Sequence, residues 1–150
     1  MKKFCSIGML LFFVLTLTGC GVKTARVSGR VTFDGEPAKD ISVLFQPLTS
    51  ADVMPEAAVG MTNANGEFSL SLMNSKKRGA IPGEYVVYIS WVDPNPGNPV
   101  EGVTKSTPIP YKIPTRATNG EMTFTVPPEG TKEANFDFDT KKESYKPSGI

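Results

Sequence analysis

Few side chains in this chain could do chemistry. There is no histidine, and both cysteines, Cys5 and Cys20, lie within the first twenty positions. A domain beyond them has no imidazole, no free thiol and no disulfide. That excludes His/Cys zinc sites, cysteine nucleophiles and Ser-His-Asp triads together. Carboxylates remain. Asp137 and Asp139 stand two apart, so on a strand they share a face and could pair as acid and base. Solvated edge residues are the simpler expectation. Asn63, Asn65 and Glu67 offer spaced oxygen ligands, but the stretch contains no aspartate and lacks the ligand set of a calcium loop. A turn is expected there, and no metal or cofactor is expected anywhere. Tyr88 and Tyr111 are the candidate ligand contacts, because an exposed aromatic face can stack on a sugar.

Cys20 has a different kind of context. Lys2 and Lys3 supply a positive start, and residues 7–17 form an apolar run. A membrane-spanning helix needs about 20 such residues. This shorter run, closing on small residues, has the form of a signal peptide. Its end, Leu17-Thr18-Gly19-Cys20, resembles a bacterial lipobox. That resemblance implies cleavage between Gly19 and Cys20, diacylglyceryl transfer to the Cys20 sulfur and acylation of the new amino terminus. One acyl chain anchors only marginally, whereas two or more hold stably. Some bacteria retain lipoproteins at the inner membrane through an aspartate after the cysteine. Gly21 stands there, which favours the outer membrane. The expected organisation is a leader over 1–19, a lipidated tether over 20–25, a folded domain over 26–140 and a flexible tail over 141–150. Five residues, 21–25, reach at most roughly 17 Å, which keeps the domain close to the lipid.

The composition fits one domain of ordinary globular character, with 39% hydrophobic and 21% charged residues in a chain of 150. Fourteen glycines and thirteen prolines favour strands and turns. Removing the two leader lysines leaves 14 basic against 15 acidic side chains, a net charge of −1. Such a balance gives no electrostatic basis for binding nucleic acid.

Period-two alternation predicts the strands. Val27, Gly29, Val31 and Phe33 share one face of the first, which the turn chemistry of Asp34-Gly35-Glu36-Pro37 ends. Ile41, Val43 and Phe45 mark a second strand that stops at Pro47, followed by a loop over 48–57. Val59 and Met61 begin a third. Residues 63–66 turn tightly, with Gly66 free to take positive φ, and Phe68, Leu70 and Leu72 return as the hairpin partner. Lys76-Lys77-Arg78 is a basic cluster in a solvated loop, with contact to anionic headgroups as the sharper alternative. Residues 84–92 are apolar on both faces and read as a central strand, with Tyr85 and Trp91 in the core. Six prolines make residues 93–121 a long loop with room for a short edge strand. Met122, Phe124 and Val126, then Phe136 and Phe138, form the last two strands. The pattern is all-β: a sandwich of about seven strands.

Four pieces narrow the family. Val27-Ser28-Gly29-Arg30-Val31-Thr32-Phe33-Asp34-Gly35-Glu36-Pro37 resembles the V-x-G-x-V-x-x-D-G-x-P opening of carboxypeptidase regulatory-like domains. Val43-Leu44-Phe45-Gln46-Pro47 is similar to the strand that follows in that family. Thr62-Asn63-Ala64-Asn65-Gly66-Glu67-Phe68 resembles its T-D-x-x-G-x-F hairpin, with Asn63 in place of the aspartate, and Pro82-Gly83-Glu84-Tyr85 its P-G-x-Y segment. Small bacterial lipoproteins of this kind carry an I-P-x-K-Y piece. Ile109-Pro110-Tyr111-Lys112 fits it, with Ile113 at the usual tyrosine. The resemblance spans residues 27–139 and implies a transthyretin-like, prealbumin-type Greek-key sandwich serving as an accessory module.

The functional expectation is a non-catalytic, lipid-anchored cell-envelope protein that binds a partner or plays a structural part. Its partners would be the membrane, through acyl chains on Cys20, and another envelope protein or a glycan. The alternative is a carbohydrate-binding envelope module using Tyr88 and Tyr111. A hydrolase is the remote alternative, since the hydroxyisourate hydrolases of this fold depend on histidines.

Overall fold

The computed structural model describes residues 23–48, 55–94 and 108–144. Among them are nine strands and one 3₁₀ turn. In chain order the strands are β1 (Ser28–Phe33), β2 (Glu36–Pro37), β3 (Ile41–Pro47), β4 (Ala58–Met61), β5 (Glu67–Ser69), β6 (Ser71–Leu72), β7 (Gly83–Trp91), β8 (Thr123–Val126) and β9 (Phe136–Phe138). The expected seven becomes nine because β2 and β6 are two-residue pieces too short to show a period.

Two sheets result. One is five-stranded and antiparallel, in the order β6-β4-β3-β7-β8. The other is built on β1. Along one edge of β1, β5 pairs with residues 28–30 and β2 with residues 32–33, both antiparallel. Val31 bridges the gap by donating to the Gly66 carbonyl and accepting from the Ala38 amide. Along the opposite edge β9 runs parallel to β1. The Asp34-Gly35 connection has positive φ at both residues, 53° and 84°, the form that matches strand twist in a two-residue hairpin.

Burial follows the predicted alternation where one face is apolar. Val27, Val31 and Phe33 of the first strand, Ile41, Val43 and Phe45 of β3, and Tyr85, Val87 and Ile89 of β7 are all buried. Rings join the two sheets. Phe45 of β3 lies 6.3 Å from Phe136 of β9, which in turn stacks at 6.2 Å on Phe68 of β5. Phe124 of β8 sits 5.4 Å from Phe45 and 6.3 Å from Phe136. These are favourable tilted or offset ring geometries. Tyr85 is core as expected and its buried hydroxyl donates to the Ile81 carbonyl at 2.6 Å. Trp91 is only half-buried, against the edge of the core.

The expected hairpin of residues 59–72 forms only at its open end, where Ala58 and Val59 pair antiparallel with Leu72 and Ser71, and its middle splits. β4 pairs with β3 and β6, whereas β5 pairs with β1, so the chain crosses between sheets at residues 62–66. The tight turn itself is present. Asn63 Oδ1 accepts from the amides of Asn65 and Glu67 at 2.9 and 3.0 Å, and Gly66 has φ of +72°. Thr62 diverts the strand. Its amide donates to the Ile41 carbonyl and its buried hydroxyl accepts from the Ile41 amide at 2.9 Å, holding the chain onto β3. The segment then bends a second time at Leu70, whose amide donates to Val27, and passes back as β6. A strand that changes sheets in this way makes a closed corner of a sandwich.

Three further expectations change. Val59 and Met61 point outward, Met61 being 53% exposed, and Ala58 and Gly60 face the core. A Cβ on Gly60 would come within 2.8 Å of the Ser69 carbonyl oxygen, so only a small inward face fits between the sheets. In the proline-rich loop, the described residues 108–121 form no strand but a 3₁₀ turn, Thr115–Ala117, with Pro114 and Ala117 fully buried. Within the expected flexible tail over 141–150, the described residues 141–144 are tied to the domain. Glu143 makes a bidentate pair with Arg116 at 2.6 and 2.8 Å, and the Ser144 carbonyl accepts from the Thr115 amide. Residues 145–150 lie outside the described residues.

Candidate functional site

Gly19 and Cys20 lie outside the described residues, so the site is built from the point where the described chain begins. Lys23 is exposed, but Ala25 is already 4% exposed and locked to Ala80 by reciprocal backbone bonds of 2.8 and 2.9 Å. Ala25 therefore belongs to the folded domain. Between the expected attachment point, Cys20, and this pairing stand residues 21–24, whose contour length is at most roughly 14 Å.

The backbone pairings gather distant cations around this end. Ala25 pairs with Ala80, Val27 with Thr131 and Ser71 with Arg78. Arg26, Arg78 and Lys132 thereby line one concavity of about 370 Å³ over Val27 and Leu70. All three side chains are exposed, and none forms an ion pair among the described residues. Lys76 and Lys77 are exposed in the adjoining turn. Local sequence exposed only the Lys76-Lys77-Arg78 part of this cluster. The other members come from residues some fifty positions away on either side, joined by β pairing.

A larger groove of about 570 Å³ lies on the outer face of the β1 sheet. Arg30 and Glu67 pair across it at 3.3 Å, Thr32 donates to Asp137 at 2.5 Å, and the Arg30 amide donates to Asn135 Oδ1 at 3.0 Å. The Asn63 side-chain amide, and then Arg30, hold the Glu67 carboxyl below its ordinary range. The groove has polar walls and no exposed aromatic face, since its one ring, Phe68, is 3% exposed. It offers hydrogen bonds to a polar solute without a stacking platform.

The predicted ligand tyrosines are not brought together. Tyr88 sits half-buried on the outer face of the five-stranded sheet, opposite Leu44, with Gly120 close to its hydroxyl. Tyr111 plugs the far end of the sandwich. It stacks on Phe33 at 5.1 Å, and its hydroxyl accepts from the Lys39 amide at 2.9 Å. Its ring and hydroxyl are thus engaged in holding the fold.

Asp137 and Asp139 also have separate tasks. Asp137 accepts from Thr32, while Asp139 pairs with Lys142 at 2.9 Å. Hydrogen bonding from Lys142 holds Asp139 low, hydrogen bonds from Thr140 hold Asp34 low, and Arg116 does the same to Glu143. Loss of water raises the Glu56 carboxyl, but the Ser75 and Asn74 amides outweigh this and bring it down. Asp34, Glu56, Asp139 and Glu143 are thus stabilised in the ionised form. A general acid near neutral pH needs the opposite shift. No group of three or more His, Cys, Asp or Glu residues suited to a metal ion occurs among the described residues.

Fold and surface together define an all-β, two-sheet domain with a basic end at its N-terminal edge. No protein-family model matches the chain, and neither a curated protein nor a solved structure matches it significantly.

Proposed function

We propose that this chain is a non-catalytic, lipid-anchored protein of a bacterial cell envelope. Residues 1–19 are its leader, and Cys20 carries the acyl chains. The observation that carries the reading is the sequence Leu17-Thr18-Gly19-Cys20 at the end of a short apolar run, with the first backbone pairing of the folded domain only five residues later, at Ala25. Anchor and domain are adjacent, as an accessory module held at a bilayer requires. Gly21 favours delivery to an outer membrane. Within this reading the sandwich is a transthyretin-like Greek key of the carboxypeptidase regulatory-like kind, and its outer groove serves as the surface for an envelope partner. The lowered carboxyls and the missing imidazole support a binding or structural role over hydrolysis.

Metabolic labelling with an alkynyl palmitate tests the anchor. The wild-type chain is expected to take up label and partition into the detergent phase. Cys20→Ser is expected to lose both. Equal labelling of the mutant and the wild type overturns the assignment.

A further inference from the structure

We propose that the end of the sandwich from which residues 23–25 emerge is a membrane-contact face that docks on anionic lipid headgroups; this rests on the lipid-anchor reading and adds an orientation and a lipid class to it. Three observations converge there. The first is position. Pro47, Leu48, Ala57 and Met73 close the same end of the five-stranded sheet that the Ala25–Ala80 bridge closes on the other side. Register fixes this, because Leu48 donates to the Glu84 carbonyl and Met73 to the Ala57 carbonyl at the strand termini.

The second is exposed apolar surface. Four large hydrophobic side chains are exposed among the described residues, and two of them, Leu48 at 48% and Met73 at 45%, are at this end. The third is charge. Lys23, Arg26, Lys76, Lys77, Arg78 and Lys132 are exposed here, against the carboxylates Glu56, Glu84, Glu129 and Glu133. Glu56 is already occupied by the Ser75 amide at 2.6 Å and by the Asn74 amide. The end is therefore locally basic in a mature chain whose net charge is −1. The four residues between Cys20 and Ala25 are too few to carry these side chains far beyond a headgroup layer. Protruding Leu48 and Met73 can enter its apolar boundary while the cations meet phosphates.

Flotation of the purified, lipidated mature protein with lipid vesicles tests this. Vesicles of phosphatidylcholine alone report the acyl anchor. Vesicles mixed with phosphatidylglycerol add the headgroup term, so the ratio of the two affinities isolates the face. A cation near an anionic surface is worth about fivefold in binding. Arg26→Gln, Arg78→Gln and Lys132→Gln together are expected to lower the ratio by about two orders of magnitude at low salt, with an unchanged circular dichroism spectrum. Lys39→Gln, Lys112→Gln and Lys141→Gln, all exposed and away from this end, are expected to leave it near wild type. Leu48→Gln with Met73→Gln is expected to weaken binding to both vesicle types. An unchanged ratio in the first triple variant overturns the proposal, as does an equal fall in the second. Failure of the anchor reading is distinguishable, because it lowers phosphatidylcholine binding in parallel and leaves the ratio alone.

Discussion

Gly29→Ala is expected to be among the most damaging single-methyl additions in this domain. Gly29 is the second residue of β1, opposite Phe68 of β5 on one edge. On the other edge the segment leading to β9 passes so close that a Cβ on Gly29 would stand 2.0 Å from the Ala134 oxygen and 2.4 Å from its carbonyl carbon. A carbon–oxygen contact settles at about 3.3 Å, so the two backbones would have to part by roughly 1.3 Å. Neither can yield by changing a rotamer. Ala134 is fully buried, and its amide donates to Ser28 at 3.2 Å. Separation therefore also breaks that bond and strains the Val27–Thr131 bridge.

Overpacking costs about 1–3 kcal/mol, and leaving a buried amide unpaired about 1–3 more. The alanine recovers up to about 1 kcal/mol from the unfolded chain. A net loss of about 3 kcal/mol follows, or about 10–15 °C in melting temperature for a domain of this size. Gly35→Ala is the internal reference. That position has φ of +84° with no heavy atom within 4 Å of a built Cβ, so only the left-handed backbone cost of about 1–2 kcal/mol applies. Urea and thermal unfolding of the two variants measure the difference. A Gly29→Ala protein within 1 kcal/mol of wild type, or more stable than Gly35→Ala, refutes the close-approach argument.

Two further outcomes are expected. Thr62→Val should cost about 1–3 kcal/mol in urea unfolding, since it strips the buried Ile41 amide of its 2.9 Å acceptor without opening a cavity. The Arg116–Glu143 pair, with the guanidinium 5.0 Å over the Phe138 ring, should make stability pH-dependent. The Glu143 carboxyl is held below its ordinary 4.5 by Arg116 in the folded state. Its contribution is therefore present above about pH 4.5 and lost as pH falls through the lower folded value. Arg116 is 44% exposed, which limits the contribution to about 1 kcal/mol. The difference in stability between wild type and Glu143→Gln should shrink by that amount on acidification, read by unfolding at successive pH values.

The strands legible in the sequence are those with one apolar face. In β1, β3, β7 and β9 the buried residues fall at every second position, so the period reported both the strand and its inward side. β4 inverts this. Its inward residues are the small Ala58 and Gly60, the latter pressed by Ser69 and Phe68, and the larger Val59 and Met61 face out. Hydrophobicity then marks the wrong face. The connection over residues 63–66 has the chemistry of a tight turn whether its flanking strands pair or diverge. The choice is made by Thr62 gripping Ile41, a contact of 21 positions' separation. The parallel pairing of β1 with β9 spans 105 positions and leaves no local trace. The proposal for Cys20, in contrast, rests on a pattern read as linear sequence and uses nothing of the fold, whereas the cluster of Arg26, Arg78 and Lys132 exists only once the chain has closed.

The way the chain enters the sandwich bears on how an anchor at Cys20 would load it. The first pairing is at Ala25, and the chain runs straight on into β1, the strand of its sheet with partners on both edges. A pull from such an anchor would therefore act along β1 rather than peel an edge strand away. The bonds that resist it lie on both sides: Ala25 with Ala80, the Val27 carbonyl with the Leu70 amide, and Ser28 with Thr131 and Ala134. These bonds run across the strands, perpendicular in the antiparallel pairings at Ala25 and Val27 and slanted in the parallel one at Ser28, so axial tension loads several at once instead of opening them in turn. Gly29 sits among these bonds, where the approach of Ala134 that forbids a side chain also brings the second edge into contact. The absence of a side chain at Gly29 is what lets β1 be gripped on both sides at this point.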